Sequence, residues 1–427
     1  MTAATSTQER TILLAIEGPG DDWRHSLDEL ARLAETAGGE VVGTVTQKRD
    51  RPDPVYYVGK GKAHEIRGLV SELHADLVLV DADITPGQEH NLEDATGAGV
   101  LGRSAIILDI FAMRARSAEG KLQVELAQLN YLLPRLTGKG TALSRLGGGI
   151  GTRGPGETKL SVDRRHIRKR LGLLKRAVKR LESRRAIERQ HRQEAGIPVA
   201  ALVGYTNAGK STLLNTLSGA DVFVENRLFA TLDPTVRRVS LPGGRGVLFA
   251  DTVGFIRNLP HQLIAAFHAT LEEVVEADVL VHVVDASHPQ MEDQIEAARR
   301  VLASLHSATK PTITAFNKVD QVPDVGWLRE RMERDRDAVA VSGLTGEGLD
   351  DLLQAVGERL EQMLVPVEMV LPYSAQGLLA EVHARGRVLS EEYSQDGIAL
   401  DARVPDDLAQ RLRQAAGIVQ EAPVDGG

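Results

Sequence analysis

Three patterns of apolar and polar positions follow one another along the 427-residue chain. From residue 12 to residue 109, short apolar runs alternate with segments of helical spacing. The apolar runs predict four strands, at Ile12–Ile16, Val41–Thr46, Leu77–Val80 and Ser104–Asp109. The segments of helical spacing predict two helices, at Arg24–Thr36 and Ala63–Leu73. Because strands that alternate with helices are typical of a parallel sheet, we predict a small α/β domain at residues 1–112.

Between residues 113 and 196 the apolar positions recur at alternating intervals of three and four. Two stripes have this spacing, formed by Leu122, Leu126, Leu129, Leu133 and Leu136 and by Ile167, Leu171, Leu174, Val178 and Leu181. Such stripes are typical of a coiled-coil seam. We therefore predict a long antiparallel helical hairpin. Pro134 should bend or end its first helix, because proline disrupts helical hydrogen bonding.

A third pattern, at residues 197–364, consists of buried strands that run into glycine-rich turns. The apolar run Val199–Val203 leads into Gly204–Ser211, which has the spacing G-x-x-x-x-G-K-S, and a helical segment follows. This order of strand, loop and helix predicts a phosphate-binding loop. Lys210 would contact the β- and γ-phosphates, and the Ser211 hydroxyl would ligate Mg²⁺.

Three further motifs follow apolar strands in the same region, and they indicate guanine nucleotides. Asp251–Gly254 has the form D-x-x-G, in which Asp251 would hold Mg²⁺ through water and the Gly254 N–H would contact the γ-phosphate. Asn317–Asp320 has the form N-K-x-D. Its Asp320 carboxylate can accept two hydrogen bonds from guanine and none from adenine. Ser342–Leu344 is placed to close over the base.

The part of the site that would catalyse hydrolysis is less complete. Residues 229–235 should form a switch segment in which Thr231 is the first candidate, and Thr235 the second, to ligate Mg²⁺. Phe255 stands where many GTPases have a glutamine that orients water, so slow intrinsic hydrolysis is expected. The missing group would come from K⁺, for which Asn207 is a candidate ligand, or from a partner that orders the switch segments. Asn207 equally suits a role in shaping the loop.

The charge distribution indicates a polyanionic partner. The chain carries a net charge of −8, yet residues 158–192 hold fourteen Lys or Arg residues against Asp163, Glu182 and Glu188. That segment is therefore +11 and the remainder −19. A basic block on an acidic protein favours RNA binding, although a solvated helix face would have the same composition.

The predicted tip of the hairpin, Gly138–Lys159, combines glycines with four cations. We predict RNA contacts for these cations, which are Lys139, Arg145, Arg153 and Lys159. The tip has no aromatic side chain, so stacking of bases on Phe or Tyr is not expected there. A flexible linker is the alternative. The basic turn Gly59–Lys62 could likewise bind phosphate or be a plain turn.

Composition limits the remaining possibilities. The chain has no cysteine, so disulfides and cysteine-based zinc sites are excluded. The polar N-terminus and the lack of a long apolar run predict a cytoplasmic protein without a membrane span, and a monomer is expected. Residues 365–427 should form a small α+β domain, with a ferredoxin-like unit as one possibility.

The motifs together resemble those of the HflX family of ribosome-associated GTPases. The resemblance rests on Gly204–Ser211, Phe229–Thr235, Asp251–Phe255 and Asn317–Asp320, and outside the GTPase region on Tyr56–Lys62 and Gly147–Arg165. It implies an α/β fold in which a P-loop GTPase domain is preceded by a small α/β subdomain with a long antiparallel helical hairpin and followed by a small α+β domain.

The same resemblance implies the site residues and the partner. The implied nucleotide contacts are Gly204, Tyr205, Thr206, Asn207, Ala208, Gly209, Lys210, Ser211, Phe229, Ala230, Thr231, Leu232, Asp233, Asp251, Thr252, Val253, Gly254, Asn317, Lys318, Val319, Asp320, Ser342, Gly343 and Leu344. Lys210, Thr231, Gly254 and Asn207 would serve catalysis, and Ser211 and Thr231 would bind Mg²⁺. The implied partner is the large ribosomal subunit, with splitting or rescue of stalled or idle ribosomes under stress. An RNA-remodelling or RNA-modifying factor and a GTPase that regulates a protein partner are the alternatives.

Overall fold

The computed structural model describes residues 8–18, 22–136, 159–194, 196–220, 228–242, 244–257, 268–395 and 397–417. The described residues fall into two compact units. The first draws on the ranges 1–183, 223–234 and 253–272, and the second on 184–222, 235–252 and 273–427. Two of the described mid-chain segments of the first unit, 228–234 and 253–257, contain predicted switch residues.

A parallel sheet of four strands forms the centre of the first unit. Its strands are β1 (Arg10–Glu17), β2 (Glu40–Lys48), β3 (Leu77–Val80) and β4 (Gly99–Gly102), in the order β2-β1-β3-β4. The accompanying helices are α1 (Asp22–Thr36), α2 (Lys60–Leu73), α3 (Pro86–Thr96) and α4 (Arg103–Arg114). Ile12, Leu14, Val78 and Val80 are fully buried between sheet and helices, so the predicted α/β domain is confirmed.

The strand predicted at Ser104–Asp109 is wrong, because that segment lies within α4. The strand β4 comes just before it, and α3 was not predicted. A short apolar run does not distinguish a buried strand from a buried helix, and residues 103–108 are all buried. Helix α3 is apolar at few positions, but it has a local start signal. Thr85 and Gln88 form a reciprocal capping box at its first turn.

The helical hairpin is also present in the first unit. Helix α5 (Ala118–Leu132) passes into a short 3₁₀ turn at Leu133–Arg135, so Pro134 ends the helix as predicted. Helix α6 is Lys159–Glu194. Side chains from both predicted stripes pack together, namely Leu126, Leu129, Leu133 and Leu136 with Ile167 and Leu171. Arg170 adds two hydrogen bonds to Glu125 at 2.6 and 2.7 Å.

A six-stranded sheet forms the core of the second unit. The strands are β5 (Val199–Val203), β6 (Thr235–Ser240), β7 (Gly246–Asp251), β8 (Val279–Asp285), β9 (Thr312–Asn317) and β10 (Ala338–Ala340), in the order β10-β9-β8-β5-β7-β6. Only β6 is antiparallel to its neighbour. In the part of 204–362 that the structure describes, the α-helices are α7 (Lys210–Ser218), α8 (His268–Glu276, which begins in the first unit), α9 (Met291–Ser304), α10 (Gly326–Arg334) and α11 (Leu349–Gln362).

Parallel pairing brings the carboxyl ends of β5, β8, β9 and β10 to one edge of this sheet. Ligands bind at that edge in open α/β sheets. All seven residues of β8 are buried, which makes it a central strand of the sheet. The predicted nucleotide motifs follow these strands and therefore share one edge.

The C-terminal residues form a smaller layer of three antiparallel strands and two helices. These are β11 (Val365–Leu371), α12 (Gln376–Arg385), β12 (Arg387–Ser394), β13 (Gly397–Val404) and α13 (Asp406–Ala415), with the strand order β11-β13-β12. Val382, Ile398, Val404 and Leu408 lie in its core. The order matches five of the six elements of a ferredoxin-like unit. Among the described helices, none is long and apolar enough to span a membrane.

Candidate nucleotide site

The loop between β5 and α7 can be built only with glycine at two positions. Gly204 has a φ of +145° and Gly209 a φ of +92°, values that L residues rarely adopt. A Cβ on Gly204 would collide with the Val283 carbonyl, and one on Gly209 would collide with Asn317 Nδ2. Both glycines therefore let the loop pass close to β8 and β9, as a loop that wraps around phosphates requires.

Lys210 begins helix α7 and its side chain is buried. Its ammonium group donates to the carbonyl oxygens of Gly204 at 3.1 Å and Tyr205 at 2.9 Å. Burial lowers the pKa of Lys210 to about 8, and the Asp251 carboxylate opposes that change. A buried cation held at a helix N-terminus is suited to receive phosphate oxygens, which supply the counter-charge that burial demands.

Ser211 and Asp251 supply hard oxygen donors next to this lysine. The Ser211 hydroxyl donates to Asp251 Oδ2 at 2.6 Å, at the carboxyl end of β7. The following residue, Thr252, is fixed by its hydroxyl on the Leu202 carbonyl at 2.7 Å. Mg²⁺ in nucleotide sites binds few protein oxygens and completes its coordination with phosphate and water. The hydroxyl–carboxylate pair fits Mg²⁺ in that role.

The base-binding side of the site is a network of short hydrogen bonds. Asn317 Nδ2 donates to the Ala208 carbonyl at 2.8 Å, and its Oδ1 accepts from the Gly343 N–H at 2.9 Å. One buried amide thus joins the phosphate loop to the segment after β10. The Ser342 hydroxyl donates to Asp320 Oδ1 at 2.6 Å and orients this exposed carboxylate. Hydrogen bonds within the second unit thereby join the phosphate loop to Asp251 and to the motifs Asn317–Asp320 and Ser342–Leu344.

Two residues of this network were not predicted from the sequence. Asp285, at the end of β8, accepts from Lys318 Nζ at 2.6 Å and holds the lysine of the N-K-x-D motif, whose φ is +65°. Thr216, on α7, donates to the Gly343 carbonyl at 2.6 Å. A carboxylate directly after a buried parallel strand was a usable signal for Asp285. Nothing in the local sequence marks Thr216.

The remaining predicted contacts of the second unit differ in exposure. Tyr205, Thr206, Ala208 and Val319 are buried. Leu344 is 74% exposed, which leaves it free to lie over a base. Asn207 is half-buried with a φ of +62°. That strained backbone fits the loop-shaping role, and the K⁺ role stays a prediction.

The predicted switch residues 229–234, Val253 and Gly254 belong to the first unit, whereas Thr235 is an exposed residue of β6 in the second unit. Thr231 is half-buried, Ala230 is exposed, and Leu232 and Phe255 are buried, as are Val253 and Gly254. A buried phenyl ring at 255 cannot orient a water molecule, which agrees with slow intrinsic hydrolysis. The side chains of Phe229 and Asp233 are directed at α4 and α5 of the same unit.

The predicted RNA contacts cannot be located in the same way. Lys139, Arg145 and Arg153 lie outside the described residues. Lys159 is the first residue of α6, but its side chain is not described.

Comparison with known families assigns each part of the chain. Four family models match, described as GTP-binding GTPase N-terminal at residues 24–112, GTP-binding GTPase Middle Region at 114–192, 50S ribosome-binding GTPase at 199–318 and HflX C-terminal domain at 327–426.

Two relatives of high sequence identity agree with this assignment. The GTPase HflX of Caldanaerobacter subterraneus is 49% identical over 406 residues, which covers 95% of this chain and 93% of the relative. The GTPase HflX of Escherichia coli K12 is 42% identical over 402 residues, with 93% and 94% covered. A crystal structure of a GTP-binding protein from Sulfolobus solfataricus in complex with GDP is 21% identical, with a TM-score of 0.45, and covers 82% of this chain and 98% of that one.

Proposed function

The chain belongs to the HflX family of GTPases, and from this premise we propose that it binds the large ribosomal subunit and separates stalled or idle ribosomes under stress. GTP hydrolysis is the activity of the family. The subunit, the splitting of ribosomes and the link to stress are the proposed parts. Support comes from the 50S ribosome-binding description of the matching GTPase model and from the charge of α6.

In this proposal the second unit binds and selects the nucleotide. Lys210 neutralises the β- and γ-phosphates, with loop N–H groups around them. Asp320 accepts hydrogen bonds from guanine N1–H and its 2-amino group. The exposed Asp320 carboxylate would be covered by a bound base; adenine lacks both donors and would leave the covered carboxylate unsatisfied, at a cost of about 1–3 kcal/mol. Ser342 keeps that carboxylate in place through its 2.6 Å hydrogen bond.

Ser211 and Thr231 would hold Mg²⁺ directly, and Asp251 would hold it through water. When bound, Mg²⁺ offsets phosphate charge and orients the terminal phosphates. Water then attacks the γ-phosphorus as the bond to the β–γ bridging oxygen breaks, and the Gly254 N–H contacts the γ-phosphate until it leaves. With Phe255 buried, the chain has no side chain at that position to orient the water. We propose that two factors position this water instead: docking on the subunit, which would order the switch segments, and K⁺ bound near Asn207.

The observation that carries the ribosome proposal is the basic surface of α6. Apart from Arg170, which pairs with Glu125, its described exposed cations in the first unit are Arg165, Arg168, Lys169, Lys175, Arg176, Lys179 and Arg180. At 1.5 Å per residue they extend over about 22 Å, long enough for several RNA phosphates. The opposite side of α6 is taken up by packing, since Ile167, Leu171 and Leu174 are buried. The helix thus presents charge on one side and apolar groups on the other.

The deciding experiment measures GTP hydrolysis with large subunits, with small subunits and with protein-free ribosomal RNA, each in K⁺ and in Na⁺. Large subunits alone should raise the rate, more strongly in K⁺. The triple variant Arg168→Ala, Lys169→Ala, Arg176→Ala and the tip variant Arg145→Ala, Arg153→Ala should lose this stimulation and keep basal hydrolysis. Arg334→Ala on α10, an exposed arginine paired with Glu330, is the matched control.

Each alternative function predicts a different outcome of that experiment. Stimulation by free RNA but not by subunits would favour an RNA-remodelling factor and overturn the proposal. No stimulation by either would favour a GTPase that regulates a protein partner. For the splitting step, intact ribosomes should separate into subunits, as followed by sedimentation, only when the chain and GTP are both added. Binding without separation would remove the splitting claim.

A further inference from the structure

The segment 228–234, which contains Thr231, is anchored on the N-terminus of α5. The N–H groups of Arg116 and Ser117 donate to Asp233 Oδ2 at 3.0 and 2.8 Å. The Ser117 hydroxyl donates to Asp233 Oδ1 and accepts from the Gly120 N–H at 2.8 Å. Asp233 therefore satisfies the N–H of the N-cap residue Ser117, which has no partner within the helix, and that of the residue before it, and its negative charge suits the positive end of the helix.

The fit around this carboxylate is close. A Cβ at Gly120 would collide with Asp233 Oδ1, so α5 has glycine where the carboxylate approaches. Ser117 lies at the N-cap of α5, where serine is favoured because its side chain accepts from the first turn. Its hydroxyl here bonds both to its own helix and to Asp233.

A second anchor lies on the other side of Thr231. The Phe229 ring is 1% exposed and packs edge-to-face on Phe111 of α4, with ring centroids 4.7 Å apart. Phe229 has a φ of +54°, which is strained for a residue with a bulky side chain. Such a conformation persists only where surrounding contacts enforce it. Thr231 is thus held from both sides, two residues from each anchor.

We propose that Asp233 is a positioning residue for GTP hydrolysis, which fixes the backbone around Thr231 through the N-terminus of α5. This inference rests on the proposed role of Thr231 in Mg²⁺ binding. It differs from the sequence interpretation, in which Asp233 contacts the nucleotide. An anchored segment is already ordered before GTP binds. A released segment would have to become ordered on binding, which costs conformational entropy. Releasing it should therefore slow hydrolysis without altering GDP binding, which uses the phosphate loop and Asp320.

The test compares basal GTP hydrolysis, without ribosomes, among variants of the anchor. Asp233→Asn, Asp233→Ala and Ser117→Ala should each lower kcat about tenfold, equal to about 1.4 kcal/mol, with GDP affinity unchanged. Ser117→Thr keeps the hydroxyl and should restore the wild-type rate. The double variant Ser117→Ala, Asp233→Ala should be no slower than Asp233→Ala alone, because both substitutions break one interaction.

Asp53→Asn is the matched control. Asp53 also accepts from two backbone N–H groups, those of Val55 and Tyr56 at 2.8 and 3.0 Å, but it lies in a turn before α2. Both variants lose hydrogen bonds to backbone N–H groups, so Asp233→Asn and Asp53→Asn should lower Tm by similar amounts. Only Asp233→Asn should lower kcat.

Three results would overturn the positioning role. They are an unchanged or increased kcat in the Asp233 variants, an equal loss of GDP affinity, and a Thr231→Ala variant that hydrolyses GTP at the wild-type rate. All of these measurements are made without ribosomes. The positioning role of Asp233 can therefore be refuted without refuting the proposed action on ribosomes, and the reverse is also true.

Discussion

The base-binding network and the segment around Thr231 are built in opposite ways. In the network, Asn317 hydrogen-bonds to Ala208 and Gly343, and Ser342 hydrogen-bonds to Asp320, all within the second unit. The Thr231 segment is anchored instead on α4 and α5 of the first unit. In the proposed function, nucleotide choice therefore depends on the second unit alone, while the segment around Thr231 is tied to α4 and α5 of the first unit.

This difference separates two kinds of variant. A substitution in the network should change which nucleotide binds, or how tightly, and leave stimulation by a partner intact. A substitution at the anchor should change hydrolysis and leave base selection intact. A single substitution that changed both base selection and the rate of hydrolysis would show that the two regions are coupled. The proposed separation of their roles would then be wrong.

Asp320→Asn tests base selection and should have the largest effect. The amide cannot accept both guanine hydrogen bonds, so GTP affinity should fall about a hundredfold, equal to about 2.7 kcal/mol. Xanthosine triphosphate, whose base offers a complementary oxygen, should bind more tightly than GTP. Competition binding with a fluorescent nucleotide gives both affinities.

Asp324→Asn provides the comparison for that measurement, because Asp324 is another loop carboxylate, bonded to the Gly326 N–H at 2.8 Å. Its nucleotide preference should equal that of the wild type. If Asp320→Asn kept the GTP preference, the assignment of Asp320 to the base would be lost.

His282 gives an intermediate effect that depends on pH. Burial, with the charges of Arg299 and Lys210, lowers its pKa to about 4. The unfolded chain takes up this proton near pH 6.5, so the stabilising contribution is full above that pH and is lost as pH falls towards 4. Between pH 7 and pH 5 this one group should lower the free energy of unfolding by about 2 kcal/mol.

His282→Asn removes the titrating group, so its unfolding free energy should fall less over the same range. Urea denaturation at the two pH values measures this difference. Equal pH dependence in the variant and the wild type would show that His282 does not contribute. GTP selectivity should be the same in both, since the side chain lies in β8 rather than in the base network.

Thr216→Val should have the smallest effect on nucleotide binding. It tests whether Thr216 belongs to the base-binding network. It removes the hydrogen bond to the Gly343 carbonyl with little change in shape, at a cost of about 1 kcal/mol. GTP and GDP affinity should fall together by about fivefold, with kcat unchanged. Thr212→Val, one turn earlier on α7, serves as the control. A fall in kcat alone would place Thr216 with the switch residues instead.

Contiguous motifs were predictable from the sequence, and contacts between distant residues were not. Gly204–Ser211 and Asn317–Asp320 carry their chemistry within a few residues, so their spacing alone located them. Asp285 is 33 positions from Lys318, and Asp233 is 116 positions from Ser117. No local pattern reports such pairs, because the fold creates them.

The same limit explains the error in the N-terminal domain. In Ser104–Asp109 an apolar run suggests a strand, yet burial on all sides suits a helix equally well. The helices of the hairpin were easier to predict from the sequence. Their apolar residues recur at intervals of three and four over several turns, and only a helix brings those positions onto one face.

The anchor at α5 has a consequence for how the chain can be observed. Amide protons at the start of a helix exchange rapidly with solvent when no acceptor covers them, whereas a hydrogen-bonded amide exchanges only when its bond opens. The amides of Ser117, the N-cap of α5, and of Arg116, the residue before it, are covered by a carboxylate that belongs to the Thr231 segment. The exchange rates of these two amide protons therefore measure how often that segment detaches.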